Sequence, residues 1–218
     1  MTFIGFGEHA IDFYDGLLAD NSKAYWEDNV TVYRADVRAP MEALLADLEP
    51  EFADFGEGKV FRPYRDVRFA KDKTPYKTHC GAVIERGRGG GAYYVEISPA
   101  GLQTGGGCFH LAPDQIARYR QAVDSDLHGP QLARIVKKLR ATGWEIKGQR
   151  LKTRPRGYPD GHPRLDLLRH KSLYAVRGWE PDDTLHEPEC LDRVRAAWRE
   201  LRAFNAWAVD HVGPSQPS

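Results

Sequence analysis

The chain predicts a single α+β domain, with N-terminal helices, a central mainly antiparallel sheet and further helices on the C-terminal side. Three observations lead there. Apolar residues recur at helical spacing through the first quarter and again near the end, whereas from Lys59 the period changes to two. The segments of period two are joined by short connections, which suit an antiparallel meander rather than parallel crossovers. At 218 residues the chain is long enough for one substantial core. We assign 1–212 to that domain and 213–218 to a disordered tail.

Taken in order, Ile11, Tyr14, Leu17 and Leu18 mark a first helix, and Tyr25, Trp26, Val30, Tyr33 and Val37 a second. Pro40, tolerated in a first turn, opens a third that carries Met41, Leu44, Leu45 and Leu48; Gly56 and Gly58 end the helical quarter. Phe61 to Phe69 reads as a strand, with Phe61, Val67 and Phe69 on one face, Arg65 among them, and Arg62, Tyr64, Asp66 and Arg68 on the other. His79 to Glu85 and Ala92 to Ser98 follow as strands, joined by the turn-prone RGRGGG, and Leu102 to His110 makes a fourth, weakened by Gly105, Gly106 and Gly107. Helices are predicted over 112–123 and 127–140, a short strand over 144–151, a long loop through TRPRGYPDGHPR, a brief helix at LDLLRH and a strand at SLYAVRGWE. Leu191, Val194, Trp198, Leu201 and Phe204 form the last helical stripe.

Charge is the main functional lead. The 31 basic and 31 acidic side chains balance, yet they are segregated along the chain. Residues 1–58 hold 13 acids against 3 bases, 59–88 hold 9 bases against 3 acids, and 147–171 hold 8 bases against 2 acids. A pI near 7.1 argues against a general polyanion coat and favours a local basic pocket or groove. The densest run is FRPYRDVRFAKDKTPYKTH, residues 61–79. Arginine offers planar bidentate donors to phosphate, lysine a mobile point charge, and tyrosine a stacking surface with a hydroxyl. Arg62, Tyr64, Arg65, Arg68, Lys71, Lys73, Tyr76 and Lys77 are therefore candidate ligand-binding residues, with Arg156 from the later basic loop. The competing reading is that Asp66, Asp72 and the acidic N-terminal helices neutralise these cations internally.

His79 and His110 are the candidates for acid or base chemistry, since imidazole changes charge near neutral pH. With Glu96 they could form a two-histidine, one-carboxylate set, but the spacing matches no established metal motif and no metal site is assigned; no cofactor is identified. Cys80, Cys108 and Cys190 are an odd set without CxxC, read as reduced thiols. The glycine runs lack the lysine and hydroxyl of a phosphate loop. The start, MTFIGFGEHAIDF, is no secretory signal, and no apolar run approaches the ~20 residues that span a bilayer, so a cytoplasmic protein without a membrane partner is expected.

FRPYRDVRFAKDKTPYKTH, GGAYYVEISPAGLQTGGGCFH and RGYPDGHPRLDLLRHKSL together resemble a widespread bacterial and fungal family catalogued as domain of unknown function 2461. The resemblance covers nearly the whole chain, including DNSKAYWEDN. It implies one α+β unit and directs attention to the residues from Arg62 to His79 and to His110, without carrying a catalytic role. The partner expected is an anionic, phosphate-bearing small molecule; a nucleic-acid-binding module or an interaction scaffold without catalysis is the alternative.

Overall fold

The structure, a computed structural model, describes residues 2–85 and 90–216. The predicted turn through 86–89 and the last two residues of the expected tail lie outside them. The sheet has six strands: β1 (Glu57–Val60), β2 (Cys80–Glu85), β3 (Ala92–Ser98), β4 (Gly101–Cys108), β5 (Glu145–Lys147) and β6 (Leu173–Trp179). Their order is β1-β2-β3-β4-β6-β5, with every neighbouring pair antiparallel. The helices are α1 (Ala10–Ala19), α2 (Lys23–Val32), α3 (Ala39–Phe52), α4 (Pro113–Asp124), α5 (Gly129–Ala141), α6 (Leu165–Leu168) and α7 (Glu189–His211). The predicted α+β class and its helix–sheet–helix order are observed.

The second and third predicted helices form one continuous rod. A π-helical stretch, Tyr33–Arg38, links α2 to α3, and Pro40 stands in the first turn of α3. Proline has no N–H to offer the preceding turn. The Asp36 carbonyl, four residues earlier, instead accepts the Gly7 N–H at 2.9 Å, which ties the N-terminal segment to the junction. Arg38, at the end of the π turn, donates to the Phe61 carbonyl at 2.9 Å and pairs with Glu42 at 2.6 Å.

Packing makes the two sheet faces unlike. Ala82, Ile84, Tyr93, Val95, Ile97, Leu102 and Ala175 are buried on the face that α3 and α7 cover. Tyr93 sits between Phe52 of α3 and Trp198 of α7, with centroids 4.8 and 5.1 Å away. Trp198 donates its indole N–H to Thr104 at 2.6 Å, so the most enclosed polar group of β4 is satisfied. Gly106 allows this close approach: a Cβ there would come within 3.0 Å of Asn205 and Leu201 on α7. The glycines expected to weaken β4 thus belong to a full eight-residue strand.

The predicted strand from Phe61 to Phe69 is not formed. Strand β1 lies just before it, and residues 61–79 make an irregular excursion between β1 and β2. Pro63 and Pro75 account for this, because neither can donate to a ladder. They contribute as acceptors instead: Arg65 N–H bonds to Pro75 O and Lys77 N–H to Pro63 O, both at 2.8 Å, closing one bridge between Tyr64 and Tyr76. Residues 213–216 run along α4, where Gln216 N–H and the Ser215 hydroxyl bond to Asp114 at 2.9 and 3.0 Å. These bonds hold the Asp114 carboxyl down at about 2, the Gln216 N–H contributing most.

Candidate functional site

The 61–79 excursion is pinned to the helical layer by Asn21. Its side-chain amide donates to Tyr76 O at 3.1 Å, and its oxygen accepts Tyr76 N–H at 3.0 Å. Ser22 next to it caps α2 by accepting Tyr25 N–H at 3.1 Å, so the α1–α2 corner is fixed where the excursion docks. The Tyr76 ring is buried and stacked on Trp26, with centroids 4.4 Å apart and planes 8° apart. Tyr64 packs 5.5 Å from Tyr76.

Four of the sequence candidates, Arg65, Tyr76, Lys77 and His79, line one cavity of about 430 Å³ together with Leu17, Leu18 and Asn21. Arg65 is held at its rim by a 2.5 Å ion pair with Asp72 and a bond to the Thr74 hydroxyl. Thr74 N–H and the Arg65 guanidinium keep the Asp72 carboxyl at about 2, so the pair is charged through the neutral range. Lys77 differs. Its ammonium lies 5.2 Å from the Phe61 ring centroid and makes no ion pair among the described residues. Burial, then the neighbouring Arg62 and Lys59, lower its pKa. Burial also lowers that of His79, against the opposing pull of Glu96.

The remaining candidates lie elsewhere. Arg68 pairs with Asp66 at 2.7 Å, and Lys73 donates to Val67 O at 2.9 Å. Arg62, Tyr64, Arg68, Lys71 and Lys73 do not line the cavity. Among the described residues no ion pair joins the acidic N-terminal helices to this segment; Glu51 and Asp54 meet Arg195, Arg199 and Arg202 of α7. In the later basic loop, Arg150 pairs with Asp166, Arg154 with Asp160 and Arg164 with Asp126. Arg156 is exposed there, and among the described residues no hydrogen bond or ion pair joins that loop to 61–79.

A larger cavity, about 750 Å³, lies on the sheet face away from α3 and α7. Strand register builds its floor in rows. Val83, Tyr94, Gly105 and Val176 are successive cross-strand partners, and Glu85, Ala92, Gly107, Tyr174 and Lys147 form the next row. Phe61 and Phe109 add aromatic walls, and His110 stands at its edge, so His79 and His110 serve different cavities. Beside the floor, Glu96 accepts from the Tyr94 hydroxyl and from Gln103 Nε2 at 2.9 Å. Sequence reading missed this cavity and overlooked Asn21, Thr74 and Thr78. The capping pattern Asn21-Ser22 and the alternation Tyr94-x-Glu96 were the available signals. Cys80 and Cys108 are buried, with thiols pushed up to about 11 and about 12 by burial, and no cluster of three metal-ligating side chains occurs among the described residues.

A helix-backed antiparallel sheet, with one cavity on its free face and a second lined by residues of the 61–79 excursion, defines an α+β protein. Residues 9–207 match the family described as Conserved hypothetical protein (DUF2461), and the chain belongs to that family. A comparison with curated proteins finds no match. Among the described residues no helix is long and apolar enough to cross a membrane.

Proposed function

We propose that the protein binds a small phosphate-bearing anion in the 430 Å³ cavity, with Lys77 as the main charge, Arg65 as a fixed rim donor and His79 as the proton acceptor. The observation that carries this reading is Lys77: a partly desolvated ammonium, without an ion pair among the described residues, on a side chain that lines the same cavity as Arg65 and His79. A cation in that state is poorly compensated, and a bound oxyanion would restore what burial removed. Thr74, Thr78 and Asn21 line the same space as hydroxyl and amide groups suited to phosphate oxygens, and the Asp72 carboxylate that also lines it is answered by Arg65 at 2.5 Å. His79 is kept neutral near pH 7 by burial, which suits it to take a proton from the ligand. The polyanion alternative has less support, because Arg150, Arg154 and Arg164 are already paired with Asp166, Asp160 and Asp126.

Calorimetric or NMR titration with inorganic phosphate at low salt tests the reading. A charge-assisted contact is worth roughly 1.5–3 kcal/mol, so Lys77→Met should weaken binding about tenfold or more. Lys71→Met, outside the cavity lining, should leave affinity unchanged. Equal losses in the two variants, or no saturable binding, would contradict the proposal.

A further inference from the structure

We infer that the two cavities are halves of one bipartite site, which takes a planar aromatic group bearing a phosphate: the ring lies on the free sheet face and the phosphate reaches Lys77. This rests on the anion reading above. Lys77 and Phe61 are the hinge of the argument. Lys77 lines the smaller cavity, Phe61 lines the larger, and the ammonium is 5.2 Å from that ring's centroid. The cation therefore stands at the boundary of the aromatic hollow.

The larger cavity is shaped for a ring. Phe61, Tyr94, Phe109 and Tyr174 form a chain of aromatic contacts at 6.4, 5.7 and 4.7 Å, the last pair stacked at 28°. Ala92 and Gly107 put almost no side chain on the floor between them, so a flat group can approach the sheet backbone. Its volume lies within the range of small-molecule sites. Charge sets the direction of the ligand. Glu85 lines this cavity and Glu96 is held beside it by Tyr94 and Gln103, while Lys147 in the same lining is paired with Glu145 at 2.9 Å, so an anionic group is repelled there and drawn towards Lys77.

Binding of phenyl phosphate, inorganic phosphate and phenol to the full chain separates the possibilities. Phenyl phosphate should bind about tenfold tighter than either part, the gain expected for one well-placed aromatic contact. Phe109→Ala should abolish that gain while leaving affinity for inorganic phosphate intact, which also shows that the variant is folded. Tyr174→Leu provides a second probe of the same wall. Phenyl phosphate binding no tighter than phosphate would overturn the bipartite site and leave the anion reading standing. Phenyl phosphate binding no tighter than phenol would overturn both. A gain that survives both Phe109→Ala and Tyr174→Leu would place the ring elsewhere and overturn the inference.

Discussion

At the scale of single residues, His79 shows how position changes chemistry. Burial disfavours its imidazolium, so its pKa falls below the ordinary 6.5, and the folded protein holds that proton less readily than the unfolded chain does. The sign follows. The contribution of His79 to stability is whole above about pH 6.5 and is lost as pH falls from there through its folded-state pKa. His170 and His211 are shifted the same way, each chiefly by burial. His79→Gln should therefore flatten, without abolishing, the loss of stability between pH 7.5 and 5.5 in urea unfolding. Equal losses in wild type and variant would contradict this. Asn21 makes a comparable point through geometry, since one side chain satisfies both backbone groups of Tyr76. Removing it as Asn21→Ala costs roughly 1–3 kcal/mol locally and should speed hydrogen exchange at the Tyr76 amide while β4 stays protected.

At the scale of elements, the 61–79 excursion and β4 are the two departures from simple pattern. The excursion has strand-like alternation, and its exposure still alternates from Arg62 to Arg68, yet two prolines deny it a ladder. Arg65, Arg68 and Lys73 then find partners among its own acids and carbonyls, whereas Lys77, like Arg62 and Lys71, makes no ion pair among the described residues. Strand β4 tolerates three successive glycines because its neighbours on both sides supply complete registers. Gly107 is the most demanding of them. Its φ of +121° suits glycine, and an added Cβ would lie 2.6 Å from the Leu173 carbonyl and 2.7 Å from Phe204. Gly107→Ala should cost roughly 2 kcal/mol or more, about 5 °C in Tm, measured by thermal unfolding. A variant as stable as wild type would show that the local backbone relaxes freely.

At the scale of the whole molecule, the separated charges resolve into a clamp between distant parts of the chain. Glu51 of α3 receives Arg199 of α7 through two bonds of 2.6 and 2.9 Å, with Arg195 at 3.7 Å, and these guanidiniums keep its carboxyl below the usual range. Glu51→Gln should lower Tm by about 2 °C at low salt and by less in 0.5 M NaCl, since screening weakens partly exposed pairs. Much of the architecture was legible beforehand because it is periodic: the stripes of α3 and α7 and the alternation of β3 report burial directly along the chain. That Arg65, Lys77 and His79 share one neighbourhood was legible too, because they are close in sequence as well as in space. Which cations stay free was not, since Asp66 and Asp72 capture Arg68 and Arg65 only once the excursion has closed on itself. The larger cavity was least legible, because Val83, Tyr94, Gly107 and Tyr174 become neighbours solely through strand register. Local periodicity and composition determined the class of fold; pairing across the sheet and closure of the 61–79 bridge decided the hollows and which residues line them, because those depend on contacts between residues far apart in the chain.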